Sequence, residues 1–156
     1  VGAVNQLAGQ PVWTQQTFFH AWEKAGRPGG PSPDFGTFAP IAVGPVGAKI
    51  SFLARDGKPP LENVDYLKLI DDCLRDGGIA ILSMENASVA TGVLRRGGTW
   101  HMLTIFGGTG TTYETWDTMG AGRQVTALQL LTYVDYGSAV LAMHDNHDLL
   151  LLTPVP

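Results

Sequence analysis

The chain has 156 residues, 44% apolar and 15% charged, with a formal net charge of -4. That length suits one domain with a substantial core, and with no basic run longer than Arg95-Arg96 neither nucleic acid nor a membrane surface is expected as a partner. One cysteine, Cys73, excludes an intramolecular disulfide and a thiolate zinc cluster, and no apolar run reaches the roughly eighteen residues of a spanning helix. Beginning at Val1 without a methionine, the chain reads as an excised piece of a larger polypeptide.

Residues 1–12 are small and polar, and Pro11 argues against a continuous helix across them. Thr14 is placed to cap a helix running to about Ala25, because Phe18, Trp22 and Ala25 recur at helical spacing and Gly26 supplies a stop. Its aromatics Phe18, Phe19 and Trp22 read as core. Residues 26–40 contain four prolines and four glycines, so no regular element is expected there. Residues 41–54 are apolar again but are interrupted by Pro45 and two glycines, which leaves short extended pieces. Asp56, Gly57, Pro59 and Pro60 make a turn.

Asn63 opens a second helix to about Asp76, with Val64, Leu67, Ile70 and Leu74 on one side and Gly77-Gly78 as its stop. Cys73 lies inside this helix and reads as a small buried hydrophobe, since a nucleophilic thiol favours the positive N-terminal end. Ile79 to Met84 is a continuous apolar run and hence an interior strand. Ser88 to Arg96 is a connecting segment.

The next stretch, Gly97 to Met119, carries the chemistry. Thr99 to Phe106 is apolar and β-branched with His101 near its entrance, a Gly-Gly-Thr-Gly turn follows, and Thr111 to Trp116 leads to Asp117. Two antiparallel strands joined in this way bring their far ends together, which places His101 beside Asp117 as imidazole and carboxylate, the pairing that orients a catalytic base. A surface histidine beside a surface aspartate on an ordinary hairpin has the same spacing.

Gly120, Gly122 and Arg123 form a loop, and Thr126 with Gln129 makes a capping box for a short third helix of Ala127, Leu128, Leu130, Leu131 and Val134. Ala139 to Met143 and Leu149 to Thr153 are the last strands. Between them, His144, Asp145, His147 and Asp148 offer metal-ligand chemistry but fit no fixed metal signature and read as a polar turn. The glycine-rich segments lack the lysine and hydroxyl residue of a phosphate-binding loop. No metal or cofactor is expected. Strands that follow one another through tight turns imply an antiparallel sheet and an α+β class.

This order of elements resembles the papain-like cysteine peptidases, especially their C39-like branch. The resemblance covers roughly residues 61–145 and rests on the helix before Gly77-Gly78, the strand from Ile79, the histidine strand, the glycine turn and the strand ending in Asp117. It implies a single papain-like domain over residues 1–156, with N-terminal helices packed on a mostly antiparallel sheet. His101 would then be the general base, Asp117 the residue that orients it and Gln10, or else Gln6, the glutamine donating to the oxyanion. The substrate would be a peptide or protein, in the setting of a secreted or delivered effector or toxin domain. The nucleophile is what the chain lacks. The family places a cysteine at the start of its N-terminal helix, whereas this helix starts with Val12, Trp13 and Thr14 and no cysteine precedes Cys73. The Thr14 hydroxyl is a poor replacement, because an imidazole does not ionise it to any useful extent. Two functions follow: a peptidase or related amide-bond hydrolase inactive as given, or a non-catalytic module that binds a peptide or protein on the same fold.

Overall fold

The computed structural model describes residues 1–30, 35–54, 66–85, 87–88, 93–94, 100–117, 122–127 and 147–156. Within them the fold is α+β, with four α-helices and a six-stranded sheet whose pairings are all antiparallel. The helices are α1 (Gly2–Ala8), α2 (Gln15–Lys24), α3 (Phe35–Val43) and α4 (Tyr66–Arg75). The strands are β1 (Lys49–Ala54), β2 (Ile79–Glu85), β3 (Ala87–Ser88), β4 (Val93–Leu94), β5 (Trp100–Gly108), β6 (Thr112–Asp117), β7 (Arg123–Thr126) and β8 (His147–Thr153). The sheet runs β1-β8-β2-β5-β6-β7, so β8 is inserted between β1 and β2, and β3 pairs separately with β4.

Alternation along the strands sorts side chains onto two faces. Ala80, Leu82, Leu103, Ile105, Tyr113, Val125 and Leu149 form one buried layer with Ile70, flanked by Leu67 and Leu74 of the same helix α4. The intervening positions Ile79, Leu150 and Leu152 form the other layer with Ala3 and Val4 of α1 and Ala39, Ala42 and Val43 of α3. Helices therefore cover both faces, and the apolar runs in β2 and β8 follow from that double burial.

Helix α2 follows the expected boundaries. Thr14 is its N-cap, accepting from the Thr17 N–H at 3.0 Å while the Thr17 hydroxyl accepts from the Thr14 N–H at 2.9 Å. Trp22 is buried and donates its indole N–H to the Pro28 carbonyl, but Phe19 is 48% exposed and departs from the expected aromatic core.

One helix is additional to the expected elements, and three expectations are corrected. A helix, α1, occupies residues 2–8 ahead of Pro11, because Ala3, Val4 and Leu7 share a helical stripe that packs against the sheet. Helix α3 lies partly within the segment expected to be irregular and passes through Pro40. An internal proline costs about 3 kcal/mol, and burial of Ala39, Ala42 and Val43 offsets it, at roughly 25 cal/mol per Å² of apolar surface. Arg123 opens strand β7, residues 123–126, instead of lying in a loop, because Val125 is buried on the α4 face opposite Tyr113. The segment 88–96 contributes to a two-stranded ladder, Ala87 with Leu94 and Ser88 with Val93. The start of the second helix before Tyr66, the turn at 56–60, the third helix beyond Ala127 and the strand 139–143 lie outside the described residues.

One close approach fixes how the end of α4 meets the sheet. At Gly78 a methyl group would sit 2.5 Å from the Leu152 carbonyl oxygen and 2.7 Å from Cys73 Sγ. No side chain fits there. Gly78→Ala is expected to lower stability by about 1 to 3 kcal/mol or more through overpacking, and Leu82→Ala, at a fully buried position opposite Leu103, by about 2 to 5 kcal/mol; urea unfolding monitored by circular dichroism measures both.

Candidate functional site

Strands β5 and β6 place the two principal candidates. His101 pairs with Met84 of β2, and Asp117, the last residue of β6, stands opposite Leu103. His101 and Asp117 are therefore diagonal positions on neighbouring strands, two residues apart in register. Such positions are separated by roughly 7–8 Å. This register is produced by a bulge. Ile105 pairs with Thr115 and Gly107 with Glu114, which leaves Phe106 as the extra residue.

Gln10 is exposed in the segment between α1 and α2. The segment is fastened by Asn5, whose side-chain oxygen accepts from the Val12 and Trp13 N–H groups at 2.9 and 2.8 Å and whose amide donates to the Trp13 carbonyl at 2.7 Å. Trp13 is held in turn by donation from its indole N–H to the Ala42 carbonyl at 2.8 Å. Helix α1 rests against β5, and α2 packs against α3. Gln6, on α1, lines a hollow with Thr104, Phe106 and Trp116.

Beside it lies a larger hollow of about 300 Å³ between α1, α3 and the sheet. Phe18, Phe38, Val43, Ile81 and Leu150 supply apolar walls, and Thr104 contributes a hydroxyl. Trp116 borders both hollows and is 44% exposed although it precedes the end of a sheet strand. Sequence reasoning missed this feature because its lining comes from seven separate elements. The only local signal was Trp116, a large aromatic out of phase with its buried neighbour Thr115.

Cys73 has the surroundings of a packing residue. It is buried on α4, its thiol donates to the Leu152 carbonyl at 3.7 Å, and burial pushes its pKa up from 9.0 to about 11, with nearby Asp76 adding to the rise. At neutral pH it is a thiol and a poor nucleophile. The Thr14 hydroxyl is occupied in the α2 cap. Among the described residues no three His, Cys, Asp or Glu side chains gather where a metal could bind, while His144 and Asp145 lie outside the described residues and His147 and Asp148 enter β8 by their backbone. No helix among the described residues is long and apolar enough to cross a membrane.

Neither a known protein-family model nor a curated protein matches the chain. The functional reading therefore rests on geometry and on sequence resemblance.

The raised pKa of Cys73 gives a pH dependence of definite sign. Below pH 9 the thiol is protonated in both folded and unfolded chains; between pH 9 and about 11 the unfolded chain ionises first. Folding stability contributed by this group should then fall by on the order of 2 kcal/mol across that window, and Cys73→Ala, itself costing about 1 kcal/mol, should remove that part of the slope. Denaturant titrations at several pH values measure it, and alkylation by iodoacetamide at pH 7 should be slow in the folded chain.

Proposed function

We propose that residues 1–156 are a single papain-like domain of the C39-like kind, in which His101 and Asp117 form the base and its orienting carboxylate and the nucleophile is missing. One observation carries the reading: Asp117 lies two register positions from His101 on the adjacent strand, through Leu103. A carboxylate beside an imidazole selects one tautomer and stabilises the imidazolium. The two thiol or hydroxyl groups weighed as nucleophiles are otherwise engaged, Cys73 in packing and Thr14 in a helix cap. Such a domain stabilises charge at a site where no acyl intermediate forms, and Gln10 is the donor to the oxyanion that the family resemblance would assign.

The chain then binds a peptide or protein more readily than it cuts one. The apolar hollow bordered by Trp116 favours this second reading, a non-catalytic binding module, because concave apolar walls with a few polar groups are what ligand sites are made of. Delivery as an effector or toxin domain belongs to the same proposal.

Two measurements test it. Asp117→Asn should move the NMR titration midpoint of His101 downward, since the carboxylate favours imidazolium; an unmoved midpoint removes the pair. Single cysteines at Val12, Trp13, Thr14 and Gln15 should be assayed on amide and ester substrates with and without His101→Ala. The unmodified chain should show no turnover, and one cysteine variant should gain a turnover that His101→Ala abolishes. His101-dependent turnover already present in the unmodified chain would show that a nucleophile had been overlooked.

A further inference from the structure

We infer that the hollow between α1, α3 and the sheet is a binding site for an uncharged amphiphile, a linear apolar chain of roughly twelve non-hydrogen atoms whose amide or hydroxyl head hydrogen-bonds at Thr104. The inference rests on the reading of this hollow as the site of a binding module and names its ligand class; it does not depend on the His101 and Asp117 pair.

The floor of the hollow is one row of the sheet. Leu150 of β8 pairs with Ile81 of β2, Ile81 with Thr104 of β5, and Thr104 with Trp116 of β6, so the row crosses four adjacent strands. At about 4.8 Å between strands it is roughly 14 Å long. A slot of that length suits an extended chain, and no single peptide side chain reaches along it. The row belongs to the face covered by α1 and α3, whereas Leu103 and Tyr113, whose strand parity His101 and Asp117 share, belong to the α4 face. The hollow and the candidate pair therefore fall at positions of opposite parity.

Small residues on the covering helices leave the space above this row. Gly2 and Ala3 of α1 and Ala39 and Ala42 of α3 all line it. At Gly2 a methyl group would be 3.6 Å from Trp116 Cζ3, so α1 passes close over the indole. A cavity of about 150 Å³ takes one benzene ring, and this one, at about 300 Å³, has room for roughly twice as many atoms.

The row also has two chemically different ends. Leu150 and Ile81 offer only hydrocarbon. Toward Trp116, the Thr104 hydroxyl has no hydrogen-bond partner among the described residues, and the adjoining hollow, which shares Thr104 and Trp116, carries the Gln6 amide. No ionisable side chain lines either hollow. A carboxylate or ammonium head would lose hydration there without gaining a counter-charge, whereas an amide exchanges its water for Thr104 and Gln6. The head thus lies at Thr104 and the tail runs over Ile81 toward Leu150.

Decanamide and decanoate match in length and differ in charge. Titrated into the full chain by calorimetry at about pH 8, far above the carboxyl pKa, decanamide should bind roughly tenfold or more tightly than decanoate. Affinity should rise about fourfold per methylene from hexanamide to decanamide. Intermolecular NOEs should join the alkyl chain to the Ile81 and Leu150 methyl groups and the head to the Trp116 indole. Ala39→Leu, which adds bulk inside the slot, should weaken decanamide by roughly tenfold or more, and Thr104→Val by about two- to tenfold, both with an unchanged circular dichroism spectrum. If Ala39→Leu does not fold, the preference for amide over carboxylate and the NOEs decide. Equal or tighter binding of decanoate, NOEs to other residues, or no binding of decanamide overturns the inference. Capped, uncharged peptides carrying one leucine, phenylalanine or tryptophan form a second arm. Peptide binding that Ala39→Leu abolishes, with no binding of decanamide, overturns the amphiphile and leaves the binding module standing; no binding in either arm removes both. The His101 titration reports on the pair independently.

Discussion

Over residues 79–82, strand β2 is covered on both faces. Ala80 and Leu82 are buried beneath α4 and Ile79 beneath the N-terminal helices, while β8 and β5 occupy its two edges. Each of those neighbours has to present apolar groups to both faces as well, at least over the stretch that pairs with β2. The site residues inherit their positions from this constraint. His101 is fixed by pairing with Met84 in β2, and Asp117 is fixed one strand further out, so the candidate pair is referenced to the centre of the sheet.

The same constraint explains what was legible in the sequence. Continuous apolar runs bounded by glycine or polar residues gave β2 and β8 to within two residues, and the glycine turn between two β-branched runs gave the β5–β6 hairpin. The cap at Thr14 is a local chemical signal and gave the start of α2. Elements whose stability is tertiary were not legible. Helix α3 contains Pro40 and begins in a proline-rich stretch, so every local rule opposes it, and it holds through the burial of Ala39, Ala42 and Val43 on the sheet. Helix α1 is two turns long, too short for a periodic signal, and β7 is four residues whose one decisive feature is buried Val125.

For the candidate site, the sequence supplied which two strands meet but not their register. A bulge adds one residue to one strand and leaves no mark in the pattern beyond the glycines at 107 and 108, which also read as an ordinary turn. The apolar hollow was hidden for a related reason: a concavity belongs to the spaces between elements, and no single stretch of chain contains it. Cys73 was the opposite case. Its place near the end of an amphipathic helix, beside Leu74, already indicated packing, and its buried thiol at the foot of β8 has that character.

The placement of β8 between β1 and β2 also has a consequence for the order in which the chain can acquire structure. The middle of the sheet is assembled from residues 79–85 and 147–153, and β1 at residues 49–54 has its sheet partner in β8. Until residues 147–153 arrive, β1 has no strand to pair with and β2 presents one open edge of unpaired backbone groups beside the apolar residues 79–82. Contacts this distant in sequence make folding slow, and during synthesis on the ribosome that edge stays uncovered while the intervening residues emerge. A chaperone that shields an exposed strand edge would thus have its longest window of action on β2.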